Sequence, residues 1–374
     1  MNKIEKLVFV VILSVSLLCC QKIRDGKWHG KIATKNEVVV MKNPAKPIYK
    51  REIVTFEDEL IIGTKEKDSE GSFSDISCFT VDDEGNIYLV DGRRLVIIIY
   101  SEDGKYIQTI GRRGQGPGEF SFPPSNIHFT PENEIMVVTN SILFYKPKGQ
   151  FLRELKHPVV ILSLGTLIDA HKNFYILKSE FDNKQKLYKL APPYKDPDII
   201  AVREEMGRFI PFPMIRYTIV KEDLLIWGIS SEYKIYITDD KGKTIKIIEK
   251  EHKPIEVTAD WKARYLDALP KEFPKEGQKF SRYFPAFDYF FADDEGRLFV
   301  KTFEKTTGTD KYFFDIFDRE GRYLTRTALK VGREISLKQD SFIIKNNKLY
   351  TIYYDEEDYP VLKRMRIIWG TDLN

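Results

Sequence analysis

Residues 76–130 read ISCFTVDDEGNIYLVDGRRLVIIIYSEDGKYIQTIGRRGQGPGEFSFPPSNIHFT, and this stretch decides the fold. It contains four short apolar or alternating runs: Ile76–Val81, Asn86–Val90, Leu95–Tyr100 and Lys105–Ile110. Acidic residues followed by glycine separate the first run from the second and the third from the fourth, which is typical of tight turns. The stretch therefore predicts four antiparallel strands. The third run is apolar throughout, which indicates a strand covered on both faces, so the sheet must pack against similar sheets.

The same four-strand pattern recurs along the rest of the chain. We predict further units over Asn126–Leu155, about Val159–Arg203, about Met214–Val257 and about Asp288–Val331, and a sixth unit from near Asp340 that is one strand short. An orphan strand at about 52–62 precedes the first unit and can supply the missing strand. The sequence thus predicts an all-β fold, a six-bladed β-propeller of four-stranded antiparallel blades, closed by this N-terminal strand in the last blade.

Two motifs in the opening stretch resemble a known family. Gly114–Phe120 reads GQGPGEF and precedes a pair of prolines, and Asp82–Asp91 follows the pattern D-x-x-G-N-I-Y-x-x-D. Both are similar to NHL-type repeats, and more closely to the bacterial six-bladed β-propeller lipoproteins of unassigned function. The resemblance covers about Lys31–Ile368 and implies a propeller fold without implying a reaction.

The N-terminus resembles a bacterial lipoprotein signal. Leu7–Leu18 is an apolar run that is short for a bilayer span and has the length of a signal-peptide h-region. Cys19 and Cys20 follow at once. We predict lipidation at Cys20, because a small residue then stands directly before the acceptor. Cys19 is the alternative acceptor.

These features predict a signal peptide over 1–20, a tether over 21–30 and a propeller over 31–374, in which Lys31–Met41 forms a short strand. Gln21 follows the acceptor where Asp would favour retention in the inner membrane. The expected location is therefore the cell envelope, with a lipid anchor in the outer membrane and the body in the periplasm or at the surface. The net charge of +3 is weak and evenly spread, which does not indicate a nucleic-acid partner. Cys78 is expected to be a small buried apolar residue.

One end of the predicted ring carries the longer connections, and long loops are often functional. In blade 1 this end holds Asp91, Arg93, Arg94, Arg112 and Arg113. The arginines can bind an anionic ligand through bidentate contacts. The alternative is that they are solvated or paired with neighbouring acids such as Asp91 and Glu119.

The largest departure from the repeat is the insertion 258–286 between blades 4 and 5. Asp260 is expected to cap a short helix that ends at Pro270. The remainder mixes aromatic residues with cations, and Arg282 and Tyr283 are candidate ligand-binding residues. Two interpretations remain open, a lid that packs its aromatic side chains over the ring and an aromatic–cationic recognition surface.

The sequence contains no catalytic constellation with convergent spacing, since its five histidines are scattered and no nucleophile elbow is present. We therefore expect a binding or scaffold protein, without a cofactor, that recognises a protein, peptide or glycan through the end with long loops. The alternative is a metal-dependent hydrolase or lyase with a divalent metal in the central channel, as in gluconolactonase-like propellers.

Overall fold

The computed structural model describes residues 26–63, 70–204, 209–220, 223–269, 274–309, 311–331, 342–355, 357 and 359–370. Within these residues the strands form six sheets, and the innermost strands of neighbouring sheets contact one another all the way round a ring. The predicted six-bladed β-propeller is therefore confirmed.

The strands follow the repeat in chain order. The chain begins with β1 (Lys31–Lys35), β2 (Val38–Asn43) and β3 (Val54–Ile62). Blade 1 contains β4 (Cys78–Val81), β5 (Ile87–Asp91), β6 (Val96–Tyr100) and β7 (Tyr106–Ile110). Blade 2 contains β8 (Asn126–Phe129), β9 (Ile135–Val138), β10 (Ile142–Tyr145) and β11 (Phe151–Leu155). Blade 3 contains β12 (Ser163–Ile168), β13 (Phe174–Ser179), β14 (Gln185–Leu190) and β15 (Asp198–Arg203).

The second half of the ring repeats this order. Blade 4 contains β16 (Ile215–Val220), β17 (Leu224–Ile229), β18 (Lys234–Thr238) and β19 (Thr244–Lys250), and the helix α1 (Ala259–Ala268) follows it. Blade 5 contains β20 (Phe290–Ala292), β21 (Leu298–Lys305), β22 (Lys311–Phe317) and β23 (Tyr323–Lys330). Blade 6 contains β24 (Phe342–Lys345), β25 (Lys348–Tyr354) and β26 (Pro360–Trp369), and β3 completes it.

The core lies between the blades. In β5, Ile87 and Leu89 pack towards blade 6, whereas Tyr88 and Val90 pack towards blade 2. Successive side chains of a strand point to opposite faces, so both sets are buried only when the sheet stands between two others. This explains why strands such as β6 are apolar at every position. Cys78 is buried in the interface with blade 2, as expected.

The ring closes through β3. This strand pairs antiparallel with β26 along its length, from Ile62 opposite Leu362 to Val54 opposite Trp369. Val54 joins the apolar cluster between blades 5 and 6, and Ile62 joins the cluster between blades 6 and 1. The orphan strand therefore contributes both a hydrogen-bonded edge and core side chains, as the strand count predicts.

The N-terminal segment differs from its prediction. Lys31–Met41 is not one short strand but part of a hairpin, in which β1 and β2 are joined by Asn36 and Glu37 with φ of 50° and 65°. β2 then pairs in parallel with β19, so the blade 4 sheet has six strands. Two residues with positive φ are typical of a tight hairpin turn, but Asn-Glu lacks the glycine that usually signals it.

Candidate functional site

The two ends of the ring differ in their connections. We call one end the long-loop face; it carries the loops between second and third strands and the connections between blades. Its described residues are 63, 70–77, 92–95, 111–125, 139–141, 156–162, 180–184, 204, 209–214, 230–233, 251–269, 274–289, 306–309, 331, 355, 357 and 359. The opposite face carries the tight hairpin turns within the blades.

The turns of the opposite face use their polar groups to hold themselves together. In each of five of them an aspartate Oδ1 accepts a hydrogen bond from the backbone N–H four residues later, over 2.7–2.8 Å. These aspartates are Asp82, Asp169, Asp239, Asp293 and Asp318. Side-chain bonds of this kind stabilise a turn and leave that carboxylate oxygen less available to a ligand.

The long-loop face exposes large apolar side chains. Its exposed members are Phe122, Ile161, Leu162, Phe181, Phe209 and Tyr283. Phe181 is 99% exposed at the tip of the β13–β14 loop, and Leu162 is 67% exposed just before β12. Among the described residues, the turns of the opposite face expose no large apolar side chain. Clustered exposed apolar groups mark interaction surfaces, so the asymmetry favours the long-loop face as the binding face.

Asp91 organises the blade 1 loop from inside. Its carboxylate is fully buried and accepts hydrogen bonds from the backbone N–H groups of Ser74, Arg93 and Arg94 over 2.9–3.0 Å. A buried carboxylate that accepts several backbone bonds is already satisfied. We therefore assign Asp91 to shaping the loop, and its predicted role as a ligand-binding residue stays a prediction.

The blade 1 arginines stay on the long-loop face, but most of them have partners. Arg94 donates from Nη1 to the Ser72 carbonyl over 2.6 Å, and Arg113 donates from Nη2 to the Arg93 carbonyl over 3.2 Å. Arg112 forms an exposed ion pair with Glu119 over 2.6 Å. This arrangement matches the paired alternative for Arg112. The prediction that these arginines bind an anion stays a prediction.

The insertion packs its aromatic side chains on itself and on blade 5. Trp261 of α1 stacks on Tyr265 and makes edge contacts with Phe280 and Phe284. Phe284 in turn stacks on Phe303 of β21, with ring centroids 4.5 Å apart. These contacts support the interpretation of the insertion as a packed lid.

The helix begins two residues earlier than predicted. Thr258, not Asp260, is the N-cap, and its side chain accepts a hydrogen bond from the Trp261 backbone N–H over 3.2 Å. Asp260 lies in the first turn and pairs with Arg264 over 2.7 Å. Both Thr and Asp are good caps, and sequence alone does not distinguish between them. The predicted end at Pro270 lies outside the described residues.

The remaining candidates lie on the outer surface of the insertion. Arg282 forms an exposed ion pair with Glu256 over 3.4 Å, and its guanidinium lies 5.1 Å from the centroid of the Tyr283 ring. The structure does not bring this pair together with the blade 1 arginines into one described contact. Their roles as ligand-binding residues stay predictions.

A polar pair that sequence patterns do not reveal lies between blades 3 and 4. Arg203 ends β15 and stands opposite Gln185, the first residue of β14. Both are buried, and the Phe212 ring lies 5.4 Å from the Arg203 guanidinium. The Gln185 Oε1 accepts the Ile215 backbone N–H over 2.6 Å. The only sequence signal is a cation at the end of a largely apolar strand. This feature is too common to single out a functional residue.

Comparison with known families shows to which family this chain belongs. The sequence profile of DUF5128, described as a 6-bladed beta-propeller, matches residues 64–250, which is half of the chain. The chain belongs to this 6-bladed beta-propeller family. Comparison with curated proteins gives no match.

Solved structures support the same fold for this family member. A protein from Bacteroides fragilis that is named as an exported protein is 13% identical, with a TM-score of 0.56, over 88% of this chain and 99% of that chain. A member of the duf4221 family from Bacteroides vulgatus is 12% identical, with a TM-score of 0.55, over 86% and 100%. At these identities the likeness shows the fold alone.

The channel of this 6-bladed propeller is lined by all six innermost strands. It encloses a cavity of about 370 Å³ whose walls are mainly apolar, with Phe79, Phe129, Phe290, Phe291 and Phe342 among them. His128 and Lys345 are the basic side chains in its described lining, which contains no carboxylate. Burial lowers the pKa of His128 to about 4, and its Nε2 has no hydrogen-bond partner.

This lining gives no support to the alternative of a metal-dependent hydrolase or lyase. Nowhere in the described part of this family member do three or more His, Cys, Asp or Glu side chains converge in a way that could hold a metal ion. A divalent metal prefers several carboxylate or imidazole ligands, and the channel offers a single imidazole. As for membrane crossing, no helix in the described ranges combines the necessary length and apolar character.

Proposed function

We propose that this chain is an envelope protein, held by an N-terminal lipid, whose propeller binds a protein or peptide through the long-loop face. The observation that carries the proposal is the one-sided distribution of exposed apolar side chains. Apart from those on strands, they occur on the connections of the long-loop face, whereas the turns of the opposite face, in the described residues, expose none. A folded protein gains by covering such groups, and a polypeptide partner covers them well.

The chemistry of the patch favours a polypeptide over a glycan within the predicted range of ligands. Ile161 and Leu162 are aliphatic, and Leu164 at the start of β12 is also exposed beside them. Sugars are recognised by aromatic faces combined with polar groups, whereas aliphatic side chains match apolar side chains of another chain. The neighbouring Phe181 adds an aromatic anchor of the kind enriched at protein interfaces.

The lipid anchor is a separate part of the proposal. It rests on the apolar run before Cys19 and Cys20, a segment outside the described residues, and on the exported-protein name of the structural neighbour from Bacteroides fragilis. Labelling with a fatty-acid analogue should mark the wild-type chain and fail in Cys20→Ser. If Cys20→Ser is still labelled and Cys19→Ser is not, the alternative acceptor is correct. If the wild-type chain is not labelled either, the lipid anchor is ruled out.

The binding proposal is tested by paired surface variants. Leu162→Ser combined with Phe181→Ser removes apolar groups from the long-loop face, and Ile107→Ser removes an exposed apolar group from the outer strand β7. With immobilised full-length chain and an envelope extract, we expect a reproducible partner to be lost in the double variant and kept in Ile107→Ser. If the double variant still captures the partner, and circular dichroism shows that its folding is unchanged, the proposal is contradicted.

A further inference from the structure

The Arg203 guanidinium is buried, and none of the described residues supplies a counter-charge. The residue is 7% exposed, and its Nη1 has no hydrogen-bond partner. No carboxylate of the described chain pairs with it, and burial alone lowers the pKa of the guanidinium. By contrast, the hydrogen bond to Glu134 raises the pKa of Arg153. A buried unpaired charge is costly, so its presence requires an explanation.

Other arginines with an unpartnered buried nitrogen do not share this property. Arg264, Arg326 and Arg364 each have such an atom in the described structure. Each of them nevertheless forms an ion pair, with Asp260, Asp315 and Glu59 respectively, over 2.7–3.2 Å. Within this set, Arg203 alone lacks a carboxylate. In the other three arginines, imperfect packing explains one missing hydrogen bond. It does not explain Arg203, which lacks a carboxylate as well.

The neighbouring blade interface shows how the fold neutralises a cation at the corresponding place. Lys250 ends β19, the outer strand of blade 4, as Arg203 ends that of blade 3. Lys250 is buried and pairs over 3.3 Å with Asp315, a fully buried carboxylate that also accepts the hydroxyls of Tyr233 and Tyr323. The interface between blades 3 and 4 provides the cation, and its described residues provide no anion beside it.

A second unsatisfied donor stands beside Arg203. Gln185 is fully buried, its Oε1 is occupied by the Ile215 backbone N–H, and its Nε2 has no partner. Gln185 and Arg203 are directly opposed in the β14–β15 register, so their side chains leave the sheet on the same side. Two buried donors therefore lie next to each other, and the described part of the chain gives neither an acceptor.

We propose that Arg203 and Gln185 form a subsite for the carboxylate of a ligand, at the edge of the long-loop face between blades 3 and 4. A carboxylate is planar and matches the guanidinium fork, and its second oxygen can accept from the glutamine amide. Phe212 lies beside the guanidinium and supplies an apolar wall. The carboxylate can belong to a small free acid or to the end of a peptide. This subsite goes beyond the proposed partner surface, since a small acid can fill it without any protein partner.

Binding is measured by calorimetry on the full-length chain with three probes. Acetate represents a free carboxylate, N-acetylphenylalanine represents a peptide end, and N-acetylphenylalaninamide is the same molecule without the charge. Saturable binding by acetate as well indicates that free acids suffice, and binding by N-acetylphenylalanine alone indicates a peptide end. The inference is overturned if neither acid binds, if the amide binds as tightly, or if chloride at equal ionic strength competes as well as acetate.

The variants assign the binding to the subsite. Arg203→Gln should weaken acid binding by at least about tenfold, the effect of losing a charge-assisted bond. Lys156→Gln, which removes an exposed cation from the same face, is the matched control and should bind as the wild type does. An equal loss in both variants would indicate a general charge effect and would overturn the assignment.

Gln185→Glu keeps the test decisive if Arg203→Gln does not fold. The glutamate retains the acceptor for Ile215 and places an anionic oxygen where the unpartnered Nε2 stood. We expect it to raise the melting temperature by about 2 °C and to abolish acid binding, because the internal carboxylate occupies the subsite. A lower melting temperature, or unchanged acid binding, contradicts the inference. Loss of acid binding with partner capture intact would leave the proposed function standing.

Discussion

The closure strand allows a quantitative test because its two neighbouring isoleucines differ so sharply. Ile62 is 7% exposed in the interface between blades 6 and 1, whereas Ile61 is 60% exposed. Ile62→Ala removes three buried carbon atoms. At about 0.8 kcal/mol for each, with a further cost for the cavity, we expect a loss of roughly 3 kcal/mol in the free energy of unfolding. Ile61→Ala should change it by less than about 0.5 kcal/mol.

The assay is equilibrium unfolding in urea, followed by circular dichroism and by tryptophan fluorescence. A lower midpoint with an unchanged slope reports a loss of stability, and agreement between the two probes checks that unfolding is cooperative. A slip of β3 by one residue would exchange the buried and exposed faces of the strand. Equal effects of the two variants, or a larger effect of Ile61→Ala, would therefore refute the register with β26 and the closure that depends on it.

Three further predictions concern the interior and the insertion. Asp315→Ala should destabilise the protein by about 3–5 kcal/mol in urea, because it leaves the buried Lys250 side chain without its carboxylate, and an equal effect of the exposed Asp103→Ala would contradict this. Thr258→Ala should cost about 1 kcal/mol and Asp260→Ala less, whereas the reverse order would restore Asp260 as the cap. Burial lowers the pKa of His128 to about 4 in the folded state, so stability should be intact above about pH 6.5 and decline as the pH falls towards 4. His128→Gln should flatten that decline in melting temperature, and an unchanged pH profile would show that His128 is not its source.

Much of the fold could be predicted because the repeat is local. Acidic residues, asparagine and glycine mark most of the turns, and strands such as β6 that are apolar at every position indicate cover on both faces. The strand at about 52–62 followed from counting alone. The hairpin of β1 and β2 did not, because its attachment to β19 depends on a partner about 200 residues later, which no local pattern specifies.

The candidate site was less predictable, because burial and pairing in a propeller arise between blades. Asp91 has the sequence context of an exposed loop residue, yet the connection before blade 1 folds over it and donates the Ser74 N–H. Arg203 has the context of a strand end, and the lack of a carboxylate partner among the described residues depends on which side chains blade 4 places opposite it. The ion-pair partners and the exposure of such residues are set by the packing of neighbouring blades and cannot be read from the local sequence.

The most direct test of the central claim, that the long-loop face is the binding face, is site-specific photo-crosslinking in living cells. Benzoylphenylalanine replaces Phe181 on the long-loop face in one strain and Asp103, in a turn of the opposite face, in another. The account predicts a discrete crosslinked species at 181 and none at 103. Crosslinking at 103 with none at 181 would contradict it.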